Sequence, residues 1–66
     1  MTVYDYVARM TDRQKVVLVC YNRFDEQQYY GSADDLPFRL CAKIISKHSI
    51  QILPVDYAIV VKIYLA

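Results

Sequence analysis

The hydrophobic positions of this chain change period along its length, and each change marks an element. In TVYDYVARM, residues 2 to 10, Val3, Tyr6, Val7 and Met10 recur at spacings of three and four, which predicts a short amphipathic helix. Thr2 precedes it with Asp5 three positions on, the spacing of a capping box. Two turns of helix are marginal alone, so this one must dock on something. TDRQ follows as a polar connector. KVVLVCY, residues 15 to 21, is β-branched and apolar at successive positions, which predicts a central or doubly covered strand. NRFDE then turns the chain, and QQYYG, residues 27 to 31, returns as the second strand of a hairpin. Gly31 is expected to end that strand, and Gly31→Val to destabilise the fold if Gly31 takes a positive φ.

SADDLPFRLCA opens a second helix, expected over residues 35 to 42. Asp34 or Asp35 can accept the free amide protons of its first turn, where Pro37 is tolerated. KIISKHSIQIL, residues 43 to 53, fits two templates: Ile44 continues a helical stripe from Leu36 and Leu40, but Ile44, His48, Ile50 and Ile52 also share a face at period two. Ser, His and Ser are poor helix-interior residues, so a third strand over 44 to 53 is favoured. Pro54, Val55 and Asp56 make a turn. The final segment is a strand with Tyr57, Ile59, Val61, Ile63 and Leu65 on one face and Ala58, Val60, Lys62 and Tyr64 on the other. The order αββαββ predicts a single α+β domain over 1–66: two hairpins in a mostly antiparallel four-stranded sheet, with two short helices over one face.

Composition adds a pressure to this picture. The hydrophobic fraction is 56%, above the usual ~45–50%, in a chain of only 66 residues whose core is small. Chains of this size lean on disulfides, metal or association. Cys20 and Cys41 stand far apart in no CxxC pattern, so both are expected as buried, reduced thiols. Association is left as the outlet for surplus apolar surface. The net charge of +1, with no basic run, makes nucleic acid an unlikely partner. No apolar run approaches the ~18 residues of a membrane span, and the N-terminal residues lack the order of a signal peptide. The expectation is a cytoplasmic protein with no membrane association.

Candidate chemistry is sparse. His48 has no histidine or cysteine-pair company for a zinc site and reads as a half-buried packing residue. Asp34 and Asp35 are adjacent, so on a helix they diverge by about 100° and do not form a facing acid pair. A single glycine cannot build a phosphate cradle. The expectation is no enzyme activity, no metal and no cofactor. The seven tyrosines are the remaining feature, since tyrosine is enriched at protein interfaces. Tyr29 and Tyr30 point to opposite faces of their strand, Tyr4 lies off the apolar face of the first helix, and Tyr64 lies opposite the heavier apolar face of the last strand. With Arg39, Val60 and Lys62 these form the candidate partner-binding set, and Arg23 is a further neighbouring cation. The almost wholly apolar last strand is expected to offer a sheet edge, or its Val60–Tyr64 face, to a second copy or another protein.

Three segments carry a resemblance. Thr2, Val3 and Asp5, the run Cys20-Tyr21-Asn22, and Tyr30-Gly31 with Asp34 to Cys41 resemble a type of small protein encoded by phages and mobile elements of gut bacteria. The resemblance implies a chain that acts by binding a host protein, as inhibitors of bacterial defence, anti-CRISPR proteins among them, do. Two other expectations stand beside it. One is a nucleic-acid binder stacking bases on Tyr29, Tyr30 and Tyr57, with Lys43, Lys47 and Lys62 on phosphates. The other is a self-assembling structural component.

Overall fold

A computed structural model describes residues 1–54 and 58–66. The first helix, α1, spans Val3–Ala8 and starts as its sequence dictates. The Thr2 hydroxyl accepts from the Asp5 amide, and the Asp5 carboxylate accepts from the Thr2 amide, both at 3.1 Å. A 3-10 turn at Arg13–Lys15 leads into β1, Val16–Tyr21, and a hairpin leads back along β2, Gln27–Ser32. A second 3-10 turn at Ala33–Asp35 and the helix α2, Phe38–Cys41, precede β3, Ile45–Ile52, and β4, Ile59–Leu65.

The sheet is mixed and mostly antiparallel, in the order β2-β1-β4-β3. β1 pairs antiparallel with β2, and β3 antiparallel with β4. The two hairpins are joined by a parallel pairing of β1 with β4, which places the two most apolar strands at the centre. The expected edge position of the last strand is therefore corrected: β2 and β3 are the edges, because β1 and β4 each satisfy a partner on both sides.

Both helices lie on one face. Val3, Val7 and Leu40 pack with Leu18, Cys20, Val61, Ile63 and Leu65 in one buried cluster. Truncating a fully buried leucine such as Leu18 or Leu40 to alanine costs about 2–5 kcal/mol in cores of this kind.

Four local expectations change. The helix expected over 35 to 42 shrinks to α2, because Leu36 and Pro37 are extended, with ψ of 124° and 140°. A residue before proline is pushed out of the helical region by the ring, and this breaks the segment in two. Neither Asp34 nor Asp35 caps α2, which follows Pro37 without a side-chain cap; the Ser32 hydroxyl instead caps the 3-10 turn, accepting from the Asp34 amide at 3.2 Å. Gly31 has no positive φ; that conformation belongs to Asp25, at 62°. Cys20 is fully buried as expected, but Cys41 is only half-buried, at the end of a helix too short to cover it.

In β3 a bulge falls between Ile45 and Lys47. It shifts the alternation, so that Ile45 joins His48, Ile50 and Ile52 on the helix side while Ile44 is left exposed. His48 is exposed rather than half-buried, with its ring edge-on to Tyr6 at 4.9 Å.

Candidate functional site

The helices leave the opposite face of the sheet uncovered, and the pairing register fixes what it displays. From β1 come Val17, Val19 and Tyr21; from β4, in parallel register beside them, come Val60, Lys62 and Tyr64. β2 adds Ser32 and Tyr30 opposite Val17 and Val19. β3 adds Lys47, Ser49 and Gln51 opposite Tyr64, Lys62 and Val60. These strand positions include no acidic residue.

Val19 is the centre of this face. It is only 3% exposed although no helix covers it. Its flanking Tyr30 and Lys62 lie across from it on either side, and long side chains of this type shield apolar neighbours with their stems and rings. Tyr30 itself remains 66% exposed. Toward one end of the face, Tyr21 and Tyr64 stack with ring centroids 5.2 Å apart and planes 19° from parallel. The Lys47 ammonium sits over the Tyr64 ring, 4.8 Å from its centroid. The stacked rings and the cation form a preordered ridge, since each member restricts the rotamers of the next.

Of the sequence-derived candidates, Tyr30, Val60, Lys62 and Tyr64 therefore meet on one surface. The others do not join them. Tyr29 faces the helix side and packs against the core, with its hydroxyl donating to the Ser32 carbonyl at 2.6 Å. Burial pushes its phenol above the ordinary range, with Asp35 adding to the shift. Tyr4 is exposed on α1, beside Phe38 in a shallow notch. Arg39 is engaged by the backbone, donating to the Gln28 carbonyl at 2.9 Å. Gln28 has no partner residue on β1, because the β1–β2 register shifts there, and Arg39 satisfies the carbonyl the irregularity leaves over. Arg23 lies over the Phe24 ring in the hairpin turn.

KVVLVCY is central, as one of its two expected settings had it, but helices cover only one of its faces, and the alternative of a doubly covered strand kept Val17, Val19 and Tyr21 out of the candidate set. The signal was present: Tyr21 alternates with Leu18 and Cys20 in the sense opposite to the core. Of the residues considered for base stacking, Tyr57 lies outside the described residues and Tyr29 faces the other way. Lys43 precedes β3, so only Lys47 and Lys62 reach the Tyr30 face.

Chemically, this surface can bind by apolar and aromatic contact with a cationic component. Among the described residues, no three His, Cys, Asp or Glu side chains group as metal ligands. No helix among them is long and apolar enough to cross a membrane. Comparison with protein-family models, curated proteins and solved structures finds no match to the chain.

Proposed function

We propose that this chain is a non-enzymatic binding module that docks a protein partner on its uncovered sheet face. The observation that carries the reading is the combination at that face: a preordered Tyr21–Tyr64–Lys47 ridge, an exposed Tyr30, and two lysines with no acid among the strand positions around them. Aromatic anchors held in place by neighbours lose little side-chain entropy on docking, which is why such residues dominate interface energetics. The partner that fits offers apolar side chains to Val17, Val60 and Tyr30, and carboxylates to Lys47 and Lys62. In its finer form the module is a phage- or mobile-element-encoded inhibitor of a host protein such as a defence effector. That form rests on the resemblance of the Thr2–Asp5, Cys20–Asn22 and Asp34–Cys41 segments.

Affinity capture from a bacterial host lysate, followed by direct binding of the purified candidate, tests the module reading. The comparison is wild type against a Val60→Glu/Tyr64→Glu variant whose circular dichroism matches wild type. The expected result is a stoichiometric complex that the variant loses. A partner bound equally well by the variant, or binding of oligonucleotides at low salt with no protein partner, would overturn the reading.

A further inference from the structure

The two edges of the sheet are treated differently. On β2, the Gln28 carbonyl is taken by Arg39 and the Ser32 carbonyl by the Tyr29 hydroxyl, and a register shift at Gln28 interrupts the ladder. These are the means by which natural proteins blunt an edge strand. β3 has no such protection over most of its length. The Leu53 amide donates to the Ala58 carbonyl on the β4 side at 2.9 Å. Antiparallel ladders alternate, so in the continuous register from Leu53 back to Lys47 the backbone groups of His48, Ile50 and Ile52 point away from β4.

The free stretch has two stops. At one end the Ile45 amide already donates to the Met1 carbonyl, and the Val3 amide to the Lys43 carbonyl, each at 2.9 Å. At the other end stands Pro54, which has no amide proton to offer. Ile50 is the middle one of the three residues whose backbone faces outward. The same residues whose backbone faces outward carry exposed apolar side chains: Ile50 is 61% and Ile52 62% exposed. Ile50 borders an open apolar groove of about 380 Å³ beside the short α1, lined also by Tyr6, Met10 and His48.

We propose that the β3 edge pairs with the β3 edge of a second copy, antiparallel about a two-fold axis through Ile50. The choice of a second copy follows from the self-complementarity of this window. About Ile50, His48 falls opposite Ile52 of the second copy, Ser49 opposite Gln51, and Lys47 opposite Leu53. No charge meets a like charge, and Pro54 of one copy falls opposite Ser46 of the other, one residue short of the Ile45 that Met1 blocks. The outward donors and acceptors of His48, Ile50 and Ile52 are then all satisfied, and Ile50 packs on its symmetry mate above the groove. A two-fold closes the assembly at two copies, leaving the blunted β2 edges outermost.

Sedimentation equilibrium of the full chain across the micromolar range tests this, with two variants. Wild type is expected as a concentration-dependent monomer–dimer equilibrium. Ile50→Lys puts two like charges side by side on the axis and is expected to raise the dimer Kd at least about tenfold, the exposed site leaving the monomer's circular dichroism unchanged. In a Cys41→Ser background, Ile50→Cys places two thiols on directly opposed residues at a Cα separation of about 5.5 Å, within disulfide reach. Mild oxidation is expected to trap a covalent dimer linked only through position 50. A wild type that stays monomeric throughout would overturn the proposal. So would a dimer that survives Ile50→Lys but dissolves with Val60→Glu/Tyr64→Glu, because it would use the open face instead. Loss of the protein partner by Val60→Glu/Tyr64→Glu while its Ile50-linked dimer persists is the result expected when both surfaces act separately.

Discussion

Gly31→Ala is the most informative single change for the fold. A Cβ at this position would stand 2.9 Å from the Tyr29 Oη and 3.2 Å from its Cζ, both inside ordinary contact. The ring cannot tilt away freely, because its hydroxyl holds the Ser32 carbonyl at 2.6 Å and its other side packs on the core. Giving up that hydrogen bond costs about 1 kcal/mol, and local overpacking about another 1. The alanine recovers roughly 0.5 kcal/mol through a less flexible unfolded chain. The expected net is a loss of about 1.5 kcal/mol, read as a lower urea midpoint with unchanged slope, and a Tm lower by about 6–12 °C for a domain of this size. Tyr29→Phe removes the nearer of the two contacts, so Gly31→Ala should cost measurably less in that background. If Gly31→Ala is neutral or stabilising, or if the two changes add without coupling, the ring is not what requires glycine here.

Three further outcomes follow from local geometry. The half-buried Cys41 should react with a thiol reagent in the native protein while Cys20 waits for unfolding; burial raises the Cys20 thiol to about 11, with Arg39 acting in the opposite sense, so simultaneous reaction of both would contradict the packing. Hydrogen bonds from the Thr2 backbone and side chain hold Asp5 below its ordinary value, so its contribution is present above the unfolded aspartate pKa and lost as pH falls through the lower folded value. Urea midpoints measured from neutral to acid pH should therefore converge for wild type and Asp5→Asn at the acid end. Thr2→Ala should cost about 1 kcal/mol at neutral pH.

How far the sequence carried the reading depends on the range of the interaction that decides each feature. The start of α1 was legible because Thr2 and Asp5 settle it within four residues. β1 and both antiparallel strand pairs were legible from their apolar runs, the first hairpin also from its NRFDE turn; the turn expected at Pro54, Val55 and Asp56 runs into positions outside the described residues. The break at Leu36-Pro37 is also local: proline is tolerated in a helix's first turn, but its ring pushes the residue before it out of the helical region. The parallel β1–β4 pairing was not legible, since it joins residues about forty apart and no local pattern selects between strand partners. The bulge in β3 was hidden for a related reason: Ile44 and Ile45 are equally apolar, and only the Met1–Thr2 segment lying along the strand decides which turns inward. At the candidate surface, alternation alone brought Val60, Lys62 and Tyr64 together. Tyr29 and Tyr30 were rightly set on opposite faces, but which one stays accessible depended on where the helices lie.

The β1–β4 pairing also fixes an order of events during synthesis. β1 emerges early and can hairpin with β2 at once, yet its other side must wait for residues 59 to 65, after α2 and β3 have been made. Through that interval Leu18 and Cys20 lack the Val61 and Ile63 that complete their layer. A translation product ending before β4 would hold the β1–β2 hairpin, two short helices and β3, without the central strand that pairs with both β1 and β3. Completion of the sheet therefore waits for the last strand, and until then the nascent chain carries apolar surface of the kind that chaperones and proteases recognise.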